Sequence, residues 1–194
     1  MRGVFAQDCG SPQRIAELIE RLGRLVRAQS HAADLNPAQW EALRYLARCN
    51  RFSNTAGALT AYLGATKGTV SQTLNALERK RLIARKADPA SRRVVRLTLT
   101  RAGRALLASD PLLQVAEAAA ALPPDMRAHA DAALSTLLAS LQRRNGLRPF
   151  GVCRTCRHFR RDAAGKGVHF CALIGQPLGE EDSDRLCSEH MLAA

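Results

Sequence analysis

Four of the six cysteines in this 194-residue chain, Cys153, Cys156, Cys171 and Cys187, fall within its last 42 residues. Their spacing is C-x2-C-x14-C-x15-C. Two thiols separated by two residues let one tight turn aim both sulfurs at a single centre, and two thiols from later loops can complete a tetrahedron. A tail this short buries little core, so an inorganic staple is a natural source of stability. Arg154, Arg157, Arg160 and Arg161 stand beside the first pair and favour thiolates over thiols. Phe150, Phe159 and Phe170 are expected to form an apolar shell around the centre. His190, three residues after the last cysteine, reads as a surface histidine or a neighbour of the centre rather than a ligand. His158 and His169 are weaker candidates still.

The kind of metal stays open on spacing. Structural zinc sites usually show two close cysteine pairs, and the second pair is missing here. One close pair followed by two isolated cysteines is similar to the spacing in high-potential iron–sulfur proteins and in the small iron–sulfur subunits of some glycyl-radical enzymes. That resemblance covers the tail alone and implies a [4Fe-4S] cluster, with Zn2+ as the alternative. Disulfides are less expected. The N-terminus MRGVFAQDCGSPQ lacks the apolar segment of a signal peptide, which places the chain in the reducing cytoplasm. No apolar run approaches the roughly 20 residues of a membrane span, so no membrane partner is expected. Cys9 and Cys49 have no partner spacing, and Cys49 reads as a small buried hydrophobe.

The elements that must carry such a tail lie upstream. Ser11-Pro12 starts a helix over about 12–33, with Ile15, Leu18, Ile19, Leu22, Leu25 and Val26 at helical spacing. Asn36-Pro37 starts a second, about 37–48, with Trp40, Leu43 and Leu46 inward. A third, about 55–63, closes at Gly64, and Thr66 caps a fourth, about 67–80. The period then changes to two, which predicts a hairpin over 82–86 and 93–99 with Asp88-Pro89-Ala90-Ser91 at its tip. Thr100 starts a helix running to the Pro123-Pro124 break, and a last helix covers about 124–144. The stretch NGLRPFG, 145–151, reads as a short linker. These periods predict two domains, 1–146 and a cysteine-rich module over 147–194.

Charge points to a polyanion. The formal net charge is +12, and residues 67–104 hold 11 Lys or Arg against only Glu78 and Asp88. Within the fourth helix, Val70, Leu74 and Leu77 form a buried edge. Lys67, Thr69, Ser71, Gln72 and Asn75 turn the other way. Small polar and amide side chains on one helix face can reach base edges in a major groove. Arg92, Arg93 and Arg96, on or beside the hairpin, can hold phosphates or enter a minor groove. Glu78 reads as a surface ion-pair partner, and no residue of this region reads as a catalytic group, so no enzyme activity is expected.

The segments LNPAQWEALRYLA, GTVSQTLNALERKRLIARKADPASRR and VRLTLTRAGRAL resemble MarR-type transcriptional regulators over about residues 12–144. The resemblance implies a mainly α fold with a small β-wing: a winged helix-turn-helix that dimerises through its N- and C-terminal helices. It implies a homodimer on a pseudo-palindromic double-stranded DNA operator. Lys67, Thr69, Ser71, Gln72 and Asn75 would lie on the recognition helix, and Arg92 and Arg93 on the wing. One departure is Ser91, where the family usually carries a second acidic residue that orders a wing arginine.

Together these readings predict a sequence-specific, redox- or metal-responsive DNA-binding regulator. Its module would act by shifting the last dimerisation helix. The alternative is an iron–sulfur electron-transfer or redox-enzyme subunit with a basic docking domain. A further one is a nucleoid-type binder without sequence preference.

Overall fold

The computed structural model describes residues 10–29, 34–89, 91–147, 149–163 and 165–192, the side chains of residues 29 and 92 excepted. Helix α1 (Pro12–Gln29) begins as read, with Ser11 Oγ accepting the Arg14 N–H at 3.2 Å. Helix α2 (Pro37–Arg48) has a reciprocal cap: Asn36 Oδ1 accepts from Gln39 N, and Gln39 Oε1 accepts from Asn36 N. Thr55 caps α3 (Ala56–Leu63), which ends at Gly64 with φ 59°. Thr66 caps α4 (Lys67–Arg79) by accepting the Thr69 N–H.

Strands β1 (Ile83–Asp88) and β2 (Ser91–Leu99) form an antiparallel ladder from Ile83↔Leu99 to Asp88↔Ser91. The ladder runs further toward the tip than the alternation of apolar residues, because Asp88 and Ser91 still pair although neither is apolar. Trp40 and Leu43 of α2, Leu59 of α3, Val70, Leu74 and Leu77 of α4, and Ile83, Leu97 and Leu99 of the hairpin make one buried core. That core fixes α4 and the hairpin against each other.

One expected helix is two. Helix α5 (Arg101–Leu106) passes into a short 3-10 turn, and α6 (Leu112–Ala120) starts after Asp110-Pro111. The residue before a proline is driven out of the helical region, and Asp110 sits at φ −63°, ψ 123°. The turn is pinned from outside, since both carboxylate oxygens of Asp110 accept from Arg44 of α2, at 2.6 and 2.7 Å. Helix α7 (Pro124–Arg144) follows the Pro123 break as read. Among the described residues no helix is long and apolar enough to cross a membrane.

The contact between α5 and the hairpin is tight enough to test. A Cβ added at Gly103 would lie 2.1 Å from the Leu82 carbonyl oxygen. That oxygen already accepts the Thr100 N–H, so it cannot retreat without loosening the α5 cap. Gly103→Ala is therefore expected to lower stability by about 1–3 kcal/mol, measured as a shift of the denaturant midpoint.

The C-terminal residues fold on short strands. Strand β3 (Gly151–Val152) pairs with β7 (Leu186–Cys187), and β4 (Phe159–Arg160), β5 (His169–Cys171) and β6 (Gln176–Leu178) form a three-stranded antiparallel sheet. A single-turn helix, α8 (Glu180–Ser183), lies between β6 and β7. His169, 2% exposed, locks this part: its Nδ1 accepts the Asp162 N–H at 3.1 Å and its Nε2 faces Glu180 Oε1 at 3.3 Å.

The stretch 145–151 is not the free linker that its glycines and proline suggest. Phe150 stacks edge-on against Tyr45 and Tyr62, at centroid distances of 6.0 and 5.2 Å. Leu186 joins the same core as Trp40. The tail is thus packed on α2 and α3 rather than hung from the end of α7.

Candidate nucleic-acid interface and thiol centre

Helix α4 turns Val70, Thr73, Leu74 and Leu77 into the core and leaves Lys67, Thr69, Ser71, Gln72 and Asn75 exposed. The exposed set follows from the 3.6-residue period, since it occupies the turns opposite the apolar edge. Thr69 Oγ1 lies 2.9 Å from Thr66 Oγ1 at the helix start. Asn75 Oδ1 accepts from Arg85 Nη2 at 2.8 Å, and Arg85 also pairs with Glu78. Glu78 therefore bridges α4 to the hairpin. Arg93 is exposed on β2. Arg92 lies on β2 too, with its side chain outside the described residues.

Arg96 is placed differently from the other arginines. Its side chain is 22% exposed and turned toward the loop between α2 and α3. Its Nε donates to Asp88 Oδ2 at 2.6 Å, and its Nη1 donates to the Phe52 carbonyl at 2.8 Å and to Asn54 Oδ1 at 3.4 Å. It braces the hairpin from behind, so the acid left at Asp88 orders this arginine even though Ser91 replaces the second one.

The four tail cysteines line one small apolar cavity together with Phe159, Leu173 and Leu178. Cys153 and Cys156 flank a 3-10 turn closed by Cys156 N–H to the Cys153 carbonyl, 2.9 Å. Cys171 comes from β5 and Cys187 from β7. Hydrogen bonds reach the sulfurs from several sides: Asn50 Nδ2 donates to Cys153 Sγ at 3.2 Å, and the Met191 N–H to Cys156 Sγ at 3.5 Å. Interaction with Cys153, aided by the Glu189 N–H, Asn50 and Ser53, lowers the Cys187 thiol against the opposing effect of burial. The same interaction, with burial, raises Cys153.

As the side chains stand, no group of three or more His, Cys, Asp or Glu among the described residues could hold a metal ion. His190 is not part of the cavity. Its ring packs against Gly151, where an added Cβ would meet it at 2.5 Å, and its Nε2 lies 3.0 Å from Thr155 Oγ1. Burial lowers its pKa. The expected ring shell is corrected in part. Phe159 is in it, but Phe150 belongs to the larger core, and Phe52 from the α2–α3 loop takes its place. Cys49 is buried, and burial pushes its thiol up to about 11. Cys9 lies outside the described residues.

Residues 33–94 match the model of the MarR family. That stretch, about a third of the chain, runs from the start of α2 into the β1–β2 hairpin and has the three-helix-then-hairpin order of a winged helix. Three solved structures are similar to the chain. One is a MepR–DNA complex from S. aureus, 22% identical over 71% of this chain and 100% of that one, with TM-score 0.56. The second is Streptococcus pneumoniae FabT in complex with DNA, 25% identical over 68% of this chain and 98% of that one, TM-score 0.54. The third is a point mutant of MarR from E. coli, 22% identical over 68% and 99%, TM-score 0.52. No curated protein matches the chain. Nearly the whole of each structure is matched by about 70% of this chain, so close to a third of the chain has no counterpart in them.

The winged-helix part and the cysteine-bearing tail meet at residues 49–55, and sequence reasoning missed the residues that join them there. Asn50, Phe52 and Ser53 belong to a short interhelical loop with no periodic signal. Nothing in the spacing relates Asn50 to a cysteine 103 positions away. Arg85, which couples the wing to Asn75 and Glu78 of α4, was legible only as one more positive charge.

Proposed function

We propose that the protein is a dimeric, sequence-specific DNA-binding transcriptional regulator with a metal centre on its four tail cysteines. The observation that carries this reading is the exposed row Lys67, Ser71, Gln72 and Asn75 on α4, set beside a basic hairpin in a winged helix-turn-helix. MepR and FabT, which share the fold, are seen with DNA. Helix α4 enters the major groove. Gln72 and Asn75 offer amides that pair with adenine edges, and Lys67, Arg92 and Arg93 neutralise phosphates. Arg85 holds the Asn75 amide in one orientation.

Dimerisation uses α1 and α7. Ile15, Ile19, Leu134, Leu137 and Leu141 line an apolar groove between them, and Leu22, Leu25 and Leu138 stand more than half exposed in one subunit. An apolar face this long is costly in water, and a second copy covers it.

The metal reading rests on the donor types and their shared cavity, since among the described residues no group of His, Cys, Asp or Glu is placed to hold an ion as the side chains stand. Four thiols from three segments share one apolar cavity, and N–H donors face their sulfurs as they do around thiolate ligands. Of the two centres, a [4Fe-4S] cluster is kept first and Zn2+ second on the cysteine spacing alone. Cys153, Cys156, Cys171 and Cys187 would hold it. When bound, it supplies a fixed structural link and a chemistry responsive to metal supply or oxidants.

The test is binding to an operator selected from random DNA by the wild-type protein. Gln72→Ala with Asn75→Ala is expected to weaken binding by about 1–3 kcal/mol for each lost base contact, about 5- to 150-fold. Affinity for unrelated DNA stays within a small factor, because phosphate contacts carry it. Equal loss on both DNAs, or no loss on the operator, would refute base reading by α4.

A further inference from the structure

The tail carries a second basic hairpin. Strands β4 and β5 are joined by a turn that is closed from within. The Asp162 N–H donates to Nδ1 of the buried His169 at 3.1 Å, and Asp162 Oδ1 accepts the Gly167 N–H at 2.8 Å. Residues 153–167 hold five Lys or Arg against Asp162 alone. Arg160, Arg161 and Lys166 are exposed on this hairpin. Arg160 donates to the Arg157 carbonyl at 2.9 Å, while the side chains of Arg161 and Lys166 make no hydrogen bond or ion pair among the described residues. The acids of α8 and its flank are engaged elsewhere. Asp182 faces Arg51 at 3.4 Å, Asp184 pairs with Arg154, Glu181 with Arg185, and Glu180 faces His169. The charge of the hairpin tip is therefore left for a partner outside the tail.

This hairpin is seated close to the first wing. The Arg96 guanidinium reaches Asp88 Oδ2 with Nε and the Phe52 carbonyl with Nη1. Asp88 pairs with Ser91 at the tip end of the β1–β2 ladder, so Phe52 lies beside the tip half of the wing rather than its root. The Phe52 ring packs on Cys153, Leu178 and Cys187, and Phe159 of β4 packs on the same cluster. One layer of packed side chains is about 10 Å thick, so β4 stands roughly that far from the loop that grips the wing. Arg51 fixes the seating. It donates to the Pro177 carbonyl of β6, and its guanidinium lies 4.8 Å from the centre of the Phe52 ring.

We infer that the β4–β5 hairpin is a second wing, which holds phosphates of double-stranded DNA just outside the stretch met by the β1–β2 wing, through Arg160, Arg161 and Lys166. This rests on the reading of the β1–β2 wing as a DNA contact. B-DNA carries one phosphate charge about every 1.7 Å along its axis, both strands counted. A basic tip set about 10 Å from the first wing therefore meets several phosphates within the length of an arginine or lysine side chain. The contact is one of charge. It adds affinity and lengthens the site without reading a base, so sequence preference stays with α4.

The experiment uses the full-length protein and two duplexes that carry the selected operator. One ends at the outer edge of the β1–β2 wing contact, and the other runs on by about ten base pairs, one helical turn, on each side. Affinity is measured from low to high salt for wild type, for Arg161→Gln with Lys166→Gln, and for Arg161→Lys. Each phosphate contact adds about 0.9 to the slope of log affinity on log salt. Three contacts from each of two subunits are expected to make the wild-type slope steeper on the longer duplex by about 5. In the double Gln variant this difference is expected to fall below about 2, and Arg161→Lys is expected to keep it, because the charge remains. A slope lost equally on both duplexes is the effect of net charge alone and overturns the second wing, as does wild-type binding that is indifferent to duplex length. A protein that selects no operator fails before this comparison and sinks the reading of α4 and the first wing, so the two failures are told apart.

Discussion

If the four tail cysteines hold a metal as proposed, Cys153→Ser is expected to empty the thiol site and to release residues 150–192 from their packed state. Apart from Phe150 and Leu186, which join the larger core, and hydrogen bonds to residues 47–53, the module has little of its own to hold it. Its buried apolar cluster is Cys153, Leu178 and Cys187, with Phe52, Phe159 and Cys171 partly covered around them. Its strands are two or three residues long. A cluster of that size cannot offset the cost of ordering some forty residues at about 1–2 kcal/mol each for the backbone alone. A structural metal in a small module contributes on the order of 10–16 kcal/mol, so loss of one of four ligands removes several of these. The effect spreads, because Leu186 and Phe150 complete the larger core around Tyr45 and Trp40. The measurements are metal per chain and limited proteolysis. The variant is expected to lose the metal, to be cut within 150–192, and to leave a shortened winged-helix fragment with a lower melting temperature. Unchanged metal content together with an unchanged cleavage pattern would contradict this.

Asp110→Ala is expected to cost about 3–5 kcal/mol, the usual penalty for removing one member of a buried ion pair. The Asp110 side chain is 8% exposed and Arg44 20%, and the two make paired bonds of 2.6 and 2.7 Å. Asp110 Oδ1 also accepts the Leu112 N–H at 2.8 Å, which starts α6. Alanine leaves the Arg44 guanidinium without its partner and the helix start without its acceptor. The pair gives a pH signature as well. Burial opposes ionisation of Asp110, but the Arg44 and Leu112 hydrogen bonds and the Arg44 charge outweigh it, so its pKa lies below the ordinary value. A carboxyl lowered in the folded state contributes stability that is complete above its unfolded pKa of about 3.9 and is lost as pH falls through the folded value. Asp110→Asn is therefore expected to be less stable at neutral pH and to show a flatter loss of stability below about pH 4. A wild-type and Asn variant with parallel acid limbs in urea titrations would show that this pair carries no such linkage.

Much of the fold was legible because it is written locally. Asn36-Pro37, Thr55, Thr66 and Thr100 are caps that act within three residues, and all four start helices where they stand. The apolar edge Val70, Leu74 and Leu77 fixes which way α4 faces, and with it the exposed row. The split at Asp110-Pro111 was masked by the Ala- and Leu-rich helical period on both sides, although the residue before a proline resists the helix. Arg96 shows the limit of alternation. It lies on the strand face opposite Leu97 and Leu99, which reads as solvent, but residues 52–54 cover that face. The convergence of four cysteines on one cavity was foreshadowed by C-x2-C. The docking of Phe150, Leu186 and Asn50 was not, since each depends on a partner far away along the chain.

The most direct test of the account is a hydroxyl-radical footprint of the full-length protein on its selected operator, repeated on unrelated DNA at the same salt. Two protected half-sites centred about one helical turn apart, with a wing footprint on the outer flank of each and none on unrelated DNA, are predicted. Uniform protection of both DNAs at the same protein concentration would contradict a dimer that reads sequence through α4.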